Sequence, residues 1–174
     1  MTRWMEVGDP TTGRNPIYVI VENVRSLFNV GAIFRAADGV KARRVFLTGF
    51  TGHPPRPEIQ KVALGADRAV PWTHCSDTRS VICALRREGV RVLALERTER
   101  SVDFQTYPYS FPVAVVVGHE VAGIAPETLS ACDACVHIPM CGTKRSLNVS
   151  VACGVLLYEV LRHARSRESL PRNG

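Results

Sequence analysis

The sequence predicts an α/β fold with a mainly parallel sheet flanked by helices. Short apolar runs alternate along the chain with segments of helical pattern, as in successive βα units. The run Val113 to Val117 is apolar without interruption, which is typical of a central parallel strand covered on both faces. With 174 residues, the chain has the size of one domain.

Each element has a local signal. Gly49 to Pro57 is rich in Gly and Pro and is predicted to be a loop. Strands are predicted at 17–22, 43–48, 90–95, 113–117 and 134–140, with a short extended piece at 70–73. Helices are predicted at 30–39 after an Asn29 cap, at 57–64, from Asp77 to 88, at 126–131, and from Ser146 to about Arg165. Residues 1–16 are expected to be an extension, 17–165 the domain and 166–174 a flexible tail.

Composition narrows the class of partner. The net charge of +6 is carried mostly by arginine, which pairs with phosphate and stacks on bases, so nucleic acid is favoured among anionic partners. Genome composition alone is an equally good account of the arginine content. No apolar run is long enough to span a membrane and the first residues lack a signal peptide, so we expect a cytoplasmic protein without a membrane partner.

Six cysteines raise the possibility of a metal. Cys132 and Cys135, with His137 and Cys141 behind them, have spacing that could suit zinc. A strand through Cys135 sends alternate side chains to opposite faces, and no second cysteine pair completes a site. We therefore expect small buried residues and no metal.

The last helix is apolar in nearly every direction around its axis. A helix of that kind is covered on all sides, and a small domain offers too little of its own surface for this. The sequence therefore predicts a homodimer.

Three polar segments adjoin predicted strand ends or helix starts, where α/β proteins bind ligands. They contain Asn29, Gly31 and Arg35; Gly118, His119, Glu120 and Gly123; and Lys144, Arg145, Ser146 and Asn148. Taken singly, each has a plain alternative: a solvated arginine, a carboxylate at a helix start, and an N-cap at Ser146. His119 could serve as a base or be incidental.

Taken in order, the three segments resemble the motifs of the SpoU/TrmH family of RNA 2′-O-ribose methyltransferases, within the SPOUT superfamily. The matching stretches are 29–37, 115–124, and 138–140 with 146–152, and the likeness runs from about Ile17 to Arg162. The resemblance implies a deep trefoil knot over about Val113 to Ala152, S-adenosylmethionine as cofactor, and a dimer with its active site near the interface.

The resemblance also implies roles for individual residues. Arg35 corresponds to the catalytic arginine, either as a base or as a clamp on the hydroxyl and neighbouring phosphate. Asn29, Glu120, Ser146 and Asn148 correspond to the remaining active-site positions. The positions corresponding to the cofactor site and its neighbours are Leu95, Gly118, Ile138, Met140, Gly142 and Leu147.

The chain departs from the family pattern in three respects, one of which is the loop Cys141-Gly-Thr-Lys144, whose sequence has no close match in the family pattern. Many relatives have Asn where His119 stands, and no separate N-terminal RNA-binding domain is visible. Contacts to tRNA or rRNA are therefore expected from the catalytic domain, with these candidates: Arg43, Arg44, Arg56, Arg68, Lys144 and Arg145. The alternative function is a non-catalytic RNA-binding protein on the same fold. A nicotinamide-dependent oxidoreductase is disfavoured because no Gly-x-Gly-x-x-Gly turn follows the first strand.

Overall fold

The computed structural model describes residues 13–168 of the chain. Its strands are β1 (Asn15–Glu22), β2 (Ala42–Thr48), β3 (Trp72–Cys75), β4 (Arg91–Leu95), β5 (Val102–Asp103), β6 (Val113–Val117) and β7 (Ala134–His137). Its helices are α1 (Leu27–Gly39), α2 (Pro57–Ala63), α3 (Ala66–Ala69), α4 (Thr78–Arg87), α5 (Pro126–Ala131) and α6 (Val149–Glu168). Strands and helices alternate along most of the chain as the sequence predicts, but β4, β5 and β6 follow one another without a helix between them.

The strands form one sheet in the order β3-β2-β1-β6-β4-β7-β5. Every strand pairing in it is parallel. All five residues of β6 are buried at the centre, because helices cover both faces of the sheet. The predicted α/β class with a mainly parallel sheet is therefore confirmed.

Two apolar cores lie on opposite faces of the sheet. Ile17, Val19 and Val21 of β1 point into the larger core, to which α1, α2 and α6 contribute. Tyr18 and Ile20, the residues between them, point into the second core with side chains of α4. This alternation follows from the two-residue period of a strand. It explains why β1 is apolar at successive positions.

Some element bounds differ from the predicted ones. β1 begins at Asn15 and therefore includes two residues that were assigned to the extension. The Asn15 side-chain amide donates a hydrogen bond to the Val40 carbonyl at 2.7 Å. β7 ends at His137 instead of Met140. The two-residue strand β5 and the four-residue helix α3 were not predicted, because elements that short have no periodic pattern.

The start of α1 also corrects the prediction. The helix begins at Leu27 with Ser26 as its N-cap, whose side chain accepts a hydrogen bond from the Asn29 backbone N–H. Asn29 is therefore not the cap, and its side chain is free for other contacts. Gly31 is buried, and a Cβ there would lie 2.6 Å from the Ile59 carbonyl oxygen. Its lack of a side chain allows α1 to pack closely against α2.

Residues 1–12 and 169–174, which cover most of the predicted extension and tail, lie outside the described residues. Within residues 13–168, no helix is long and apolar enough to cross a membrane. In the same range, no group of three or more His, Cys, Asp or Glu side chains is arranged to hold a metal ion.

Candidate functional site

The carboxyl ends of β4, β6 and β7 surround a cavity of about 210 Å³. The segment between β7 and α6 closes it on the other side. Among its lining residues are five proposed from the sequence as cofactor contacts: Leu95, Gly118, Ile138, Met140 and Leu147. Gly142 is exposed and is not among the lining residues.

Polar groups share the cavity with the apolar walls. Glu96, His119, Arg145 and Ser146 all line it. Ser146 is exposed and makes no hydrogen bond with any described residue. The cavity therefore offers apolar surface for a flat ring and both signs of charge for a polar ligand.

Glu120 connects the loop after β6 to the start of α1. Its carboxylate accepts hydrogen bonds from the backbone N–H groups of Arg25 at 3.0 Å and Ser26 at 2.9 Å. It also accepts one from the Asn29 side-chain amide at 2.9 Å. Burial by itself raises the pKa of Glu120, but these donors outweigh it and lower the pKa to about 2. The group is therefore a carboxylate at neutral pH and holds the backbone of the site, with no contact to Arg35.

Asn29 extends this connection to the third segment. Its side-chain oxygen accepts a hydrogen bond from the Asn148 side-chain amide at 3.1 Å. Asn148 in turn accepts from the Ser150 backbone N–H at 2.9 Å and so serves as the N-cap of α6. The predicted cap at Ser146 is therefore wrong. Hydrogen bonds link Glu120, Asn29 and Asn148, three residues proposed from widely separated segments.

The loop 118–124 has an internal framework. The His119 imidazole Nδ1 accepts hydrogen bonds from the backbone N–H groups of Val121 at 3.0 Å and Ala122 at 3.1 Å. These two hydrogen bonds give His119 a part in shaping the loop. A Cβ at Gly118 would lie 2.5 Å from the Gly123 backbone, so that glycine is required by the loop's own close approach as well as by any ligand.

Two carboxylates that sequence reasoning did not single out hold the same loop. Glu96 accepts hydrogen bonds from the backbone N–H groups of Ile124 at 3.1 Å and Arg97 at 3.0 Å. Glu22, only 3% exposed at the end of β1, accepts from the Ala125 backbone N–H at 3.1 Å. Both glutamates directly follow the apolar residues of a strand, and this position is the sequence feature that could have identified them.

Arg35 stands apart from the cavity of its own chain. It is exposed on the outer face of α1, is not a lining residue, and makes no hydrogen bond or ion pair with the described residues. It lies six residues beyond Asn29, a rise of about 9 Å along the helix axis. Within one chain, the structure therefore does not bring Arg35 together with the Glu120–Asn29–Asn148 group.

The candidate RNA-binding residues are also dispersed. Arg145 lines the cavity and Lys144 precedes it in the chain, both exposed. Arg56 precedes α2, and Arg68 is exposed on α3. Arg43 and Arg44 lie near the amino end of β2, at the sheet edge away from the cavity. As successive strand residues they point to opposite faces, and Arg44 donates to the Thr73 hydroxyl at 2.8 Å. The six residues do not form one surface.

A parallel α/β sheet with a ligand cavity at its carboxyl edge, bordered by a hydrogen-bonded Glu–Asn–Asn group, defines a class of ligand-binding α/β proteins to which many enzymes belong. The model of the SpoU rRNA Methylase family matches residues 16–158. The chain belongs to this family.

Individual relatives agree. The chain is 31% identical over 169 residues to the tRNA (guanosine(18)-2'-O)-methyltransferase of Escherichia coli, covering 95% of this chain and 72% of that protein. It is 34% identical over 146 residues to the 23S rRNA (guanosine-2'-O-)-methyltransferase RlmB of Coxiella burnetii, covering 84% of this chain and 58% of that protein. It thus spans little more than half of the latter protein.

Solved structures show the same fold. The TrmH/SpoU tRNA modifying enzyme of A. aeolicus superposes with a TM-score of 0.82 at 28% identity, covering 91% of this chain and 83% of that one. The AdoMet-bound rRNA methyltransferase of Sinorhizobium meliloti superposes with a TM-score of 0.80 at 35% identity, covering 87% of this chain and 57% of that one.

Proposed function

We propose that the chain transfers a methyl group from S-adenosylmethionine to a ribose 2′-hydroxyl of tRNA or rRNA, in the cytoplasm. The observation that carries this is the hydrogen-bonded group Glu120–Asn29–Asn148 beside a cavity with polar and apolar walls. Family membership and the substrates in the relatives' names support the same reaction.

The cavity suits the proposed cofactor chemically. S-adenosylmethionine combines a flat adenine with a charged methionine end and supplies an activated methyl group on its sulfonium. Leu95, Ile138 and Leu147 offer apolar surface for the ring, and Gly118 lines the cavity just after β6. Glu96 and Arg145 supply opposite charges in the same cavity.

The protein's own contribution is positioning. Glu120 and Asn29 hold the start of α1 against the loop after β6, and Asn148 ties the start of α6 to both. Ser146 lines the cavity and makes no hydrogen bond with a described residue, so its hydroxyl is available to a bound ribose. Arg35 donates hydrogen bonds to the target hydroxyl and the neighbouring phosphate, since a guanidinium keeps its proton and has no lone pair to act as a base.

A homodimer places Arg35 where the reaction needs it. Phe28 on α1 and Val151, Val155 and Tyr158 on α6 are 39–55% exposed apolar side chains on adjacent helices. Pairing this surface across a two-fold axis buries it and brings Arg35 of one subunit toward the cavity of the other. The deep trefoil knot is part of the same proposal, supported by the insertion of β7 between β4 and β5 in the sheet.

Arg35→Ala is the direct test. We expect this variant to lose methyl transfer from labelled S-adenosylmethionine to tRNA and rRNA pools, while a titration shows unchanged cofactor binding. Arg87→Ala, an exposed arginine at the end of α4, is the matched control and keeps full activity. Full methylation by Arg35→Ala would refute its role. Absence of cofactor binding by the unmodified protein would instead favour a non-catalytic RNA-binding protein.

A further inference from the structure

A second recess lies at the β3 edge of the sheet. It has a volume of about 490 Å³. Its lining residues come from the loop before α2, from α2 and α3, and from β3: Pro54, Pro55, Gln60, Asp67, Arg68, Val70, Pro71 and Trp72. β3 is three strand positions from β6. At about 4.8 Å per strand, the recess is about 14 Å to the side of the strand that ends at the cofactor cavity.

The unusual group in this recess is the Asp67 carboxylate. Asp67 is only 4% exposed, yet it makes no hydrogen bond or ion pair with any residue in the range 13–168. The Asp67 carboxylate oxygens are not among the fully buried polar atoms, so they reach the recess, where no donor of the described chain meets them. The recess therefore holds an acceptor with no donor of its own, which fits a ligand that brings the donors.

One aromatic side chain, Trp72, lines the same recess as the carboxylate. The Trp72 indole lines the recess and stacks on the His53 imidazole, with ring centroids 5.7 Å apart and an interplanar angle of 25°. His74 lies against His53 at 4.8 Å. An indole supported in this way is a stacking surface of the kind that binds unpaired nucleobases.

The surrounding charge selects the kind of ligand. Arg68 lines the recess, and Arg56 is exposed at the start of α2. Together with a net charge of +6 for the chain, they disfavour a cationic partner such as an arginine side chain, although Asp67 alone would accept one. They favour a ligand with donors on its ring and negative charge on its backbone, which describes a nucleotide.

We propose that this recess binds an unpaired guanine of the RNA substrate. The two Asp67 carboxylate oxygens accept hydrogen bonds from guanine N1–H and N2–H, Trp72 provides the stacking surface, and Arg68 pairs with the backbone phosphate. Guanine fits best because it presents two adjacent donors on its Watson–Crick edge, whereas uracil presents one. The inference rests on RNA as the proposed substrate and adds a base-reading site away from the methyl-transfer cavity.

Tryptophan fluorescence reports this site directly. The chain has two tryptophans, so Trp4→Phe leaves Trp72 as the reporter. Short single-stranded RNAs that differ only in one guanosine, inosine or uridine are titrated without cofactor. We expect quenching by all three and roughly tenfold tighter binding of the guanosine RNA than of the inosine RNA, since inosine lacks the N2 donor to the carboxylate.

Substitutions assign the preference to the carboxylate. In the Trp4→Phe background, Asp67→Asn should remove the preference for guanosine over inosine. Glu58→Gln, which removes an exposed carboxylate on α2 outside the recess, should retain it. Arg68→Gln should weaken the binding of all three RNAs to the same extent and reduce the salt dependence of that binding.

Three results would overturn the inference: equal affinity for guanosine and inosine RNAs in the unmodified protein, a preference that survives Asp67→Asn, or quenching by an arginine-containing peptide but by none of the RNAs. The first comparison needs no variant at position 67, so it stands even if that variant fails to fold. No cofactor is used in this titration. If the unmodified protein shows no guanine preference but does transfer methyl groups, the recess alone is rejected. If it shows the preference but transfers no methyl group, the proposed reaction alone is rejected.

Discussion

At the scale of single residues, Glu120 does the most to assemble the site. One carboxylate receives two backbone N–H groups and one side-chain amide from the start of α1, ninety or more residues away in the chain. Such groups would otherwise need water as their partner, because the first N–H groups near a helix start have no acceptor within the helix. The ionised form of Glu120 is thus part of the folded structure.

This dependence on ionisation predicts a pH effect. The pKa of Glu120 is about 2 in the folded chain and is lower than in the unfolded chain, so its stabilising contribution is complete above about pH 4.5 and is lost as the pH falls toward 2. We expect Glu120→Ala to unfold at lower urea concentration than the unmodified protein at pH 7. The difference in midpoint should shrink progressively below pH 4.5. A difference that is constant from pH 7 to pH 3 would contradict this assignment.

At the scale of elements, the start of α6 is set by Asn148. Its side-chain oxygen accepts from the Ser150 backbone N–H, and its amide reaches Asn29 on α1. Ser146, three positions before the first helical residue, has no such contact. The Asn148 side chain therefore both caps α6 and links its start to Asn29 in the site.

Asn148→Ala and Ser146→Ala form a matched pair. Removing the cap should lower the free energy of unfolding by about 1 kcal/mol, the usual cost of losing an N-cap, measured by urea denaturation at pH 7. Ser146→Ala should leave the free energy of unfolding unchanged while lowering methyl transfer. Equal destabilisation by the two substitutions would show that the capping assignment is wrong.

At the scale of the whole molecule, the proposed dimer would bring Arg35 to the candidate site. The exposed apolar side chains of α1 and α6 lie on the same side as Arg35. Arg35 makes no hydrogen bond or ion pair with any residue in the range 13–168. The apolar surface that the dimer would bury therefore lies on the same side as Arg35, the residue that the dimer would bring to the second subunit.

Charges placed on this surface should separate the subunits, because buried unpaired carboxylates are costly. For Val151→Glu combined with Val155→Glu, we expect the sedimentation mass to fall to that of one chain and methyl transfer to be lost. Val102→Glu on β5, where the side chain is 42% exposed, is the control and should change neither. A monomeric double variant with full activity would refute a shared site, and an unmodified protein that sediments as one chain would refute the dimer.

Most of the fold can be predicted from the sequence, since long elements have strong periodic patterns. Short elements such as α3 and β5 and the early end of β7 cannot, because two to four residues do not establish a period. Cap assignments failed for a related reason. Ser146 and Asn29 are both good capping residues, but the choice between neighbouring candidates depends on where tertiary packing starts each helix.

The sequence by itself determined the α/β class, the order of the larger elements and the three segments that form the candidate site. These depend on hydrophobic periodicity and on residue types that local chemistry requires. Only the tertiary structure decided that Glu120, Asn29 and Asn148 are joined, that Gly31 serves helix packing, and that Asp67 lines a recess without a hydrogen-bond donor. Contacts between residues distant in the chain depend on how the layers pack, and no local pattern records them.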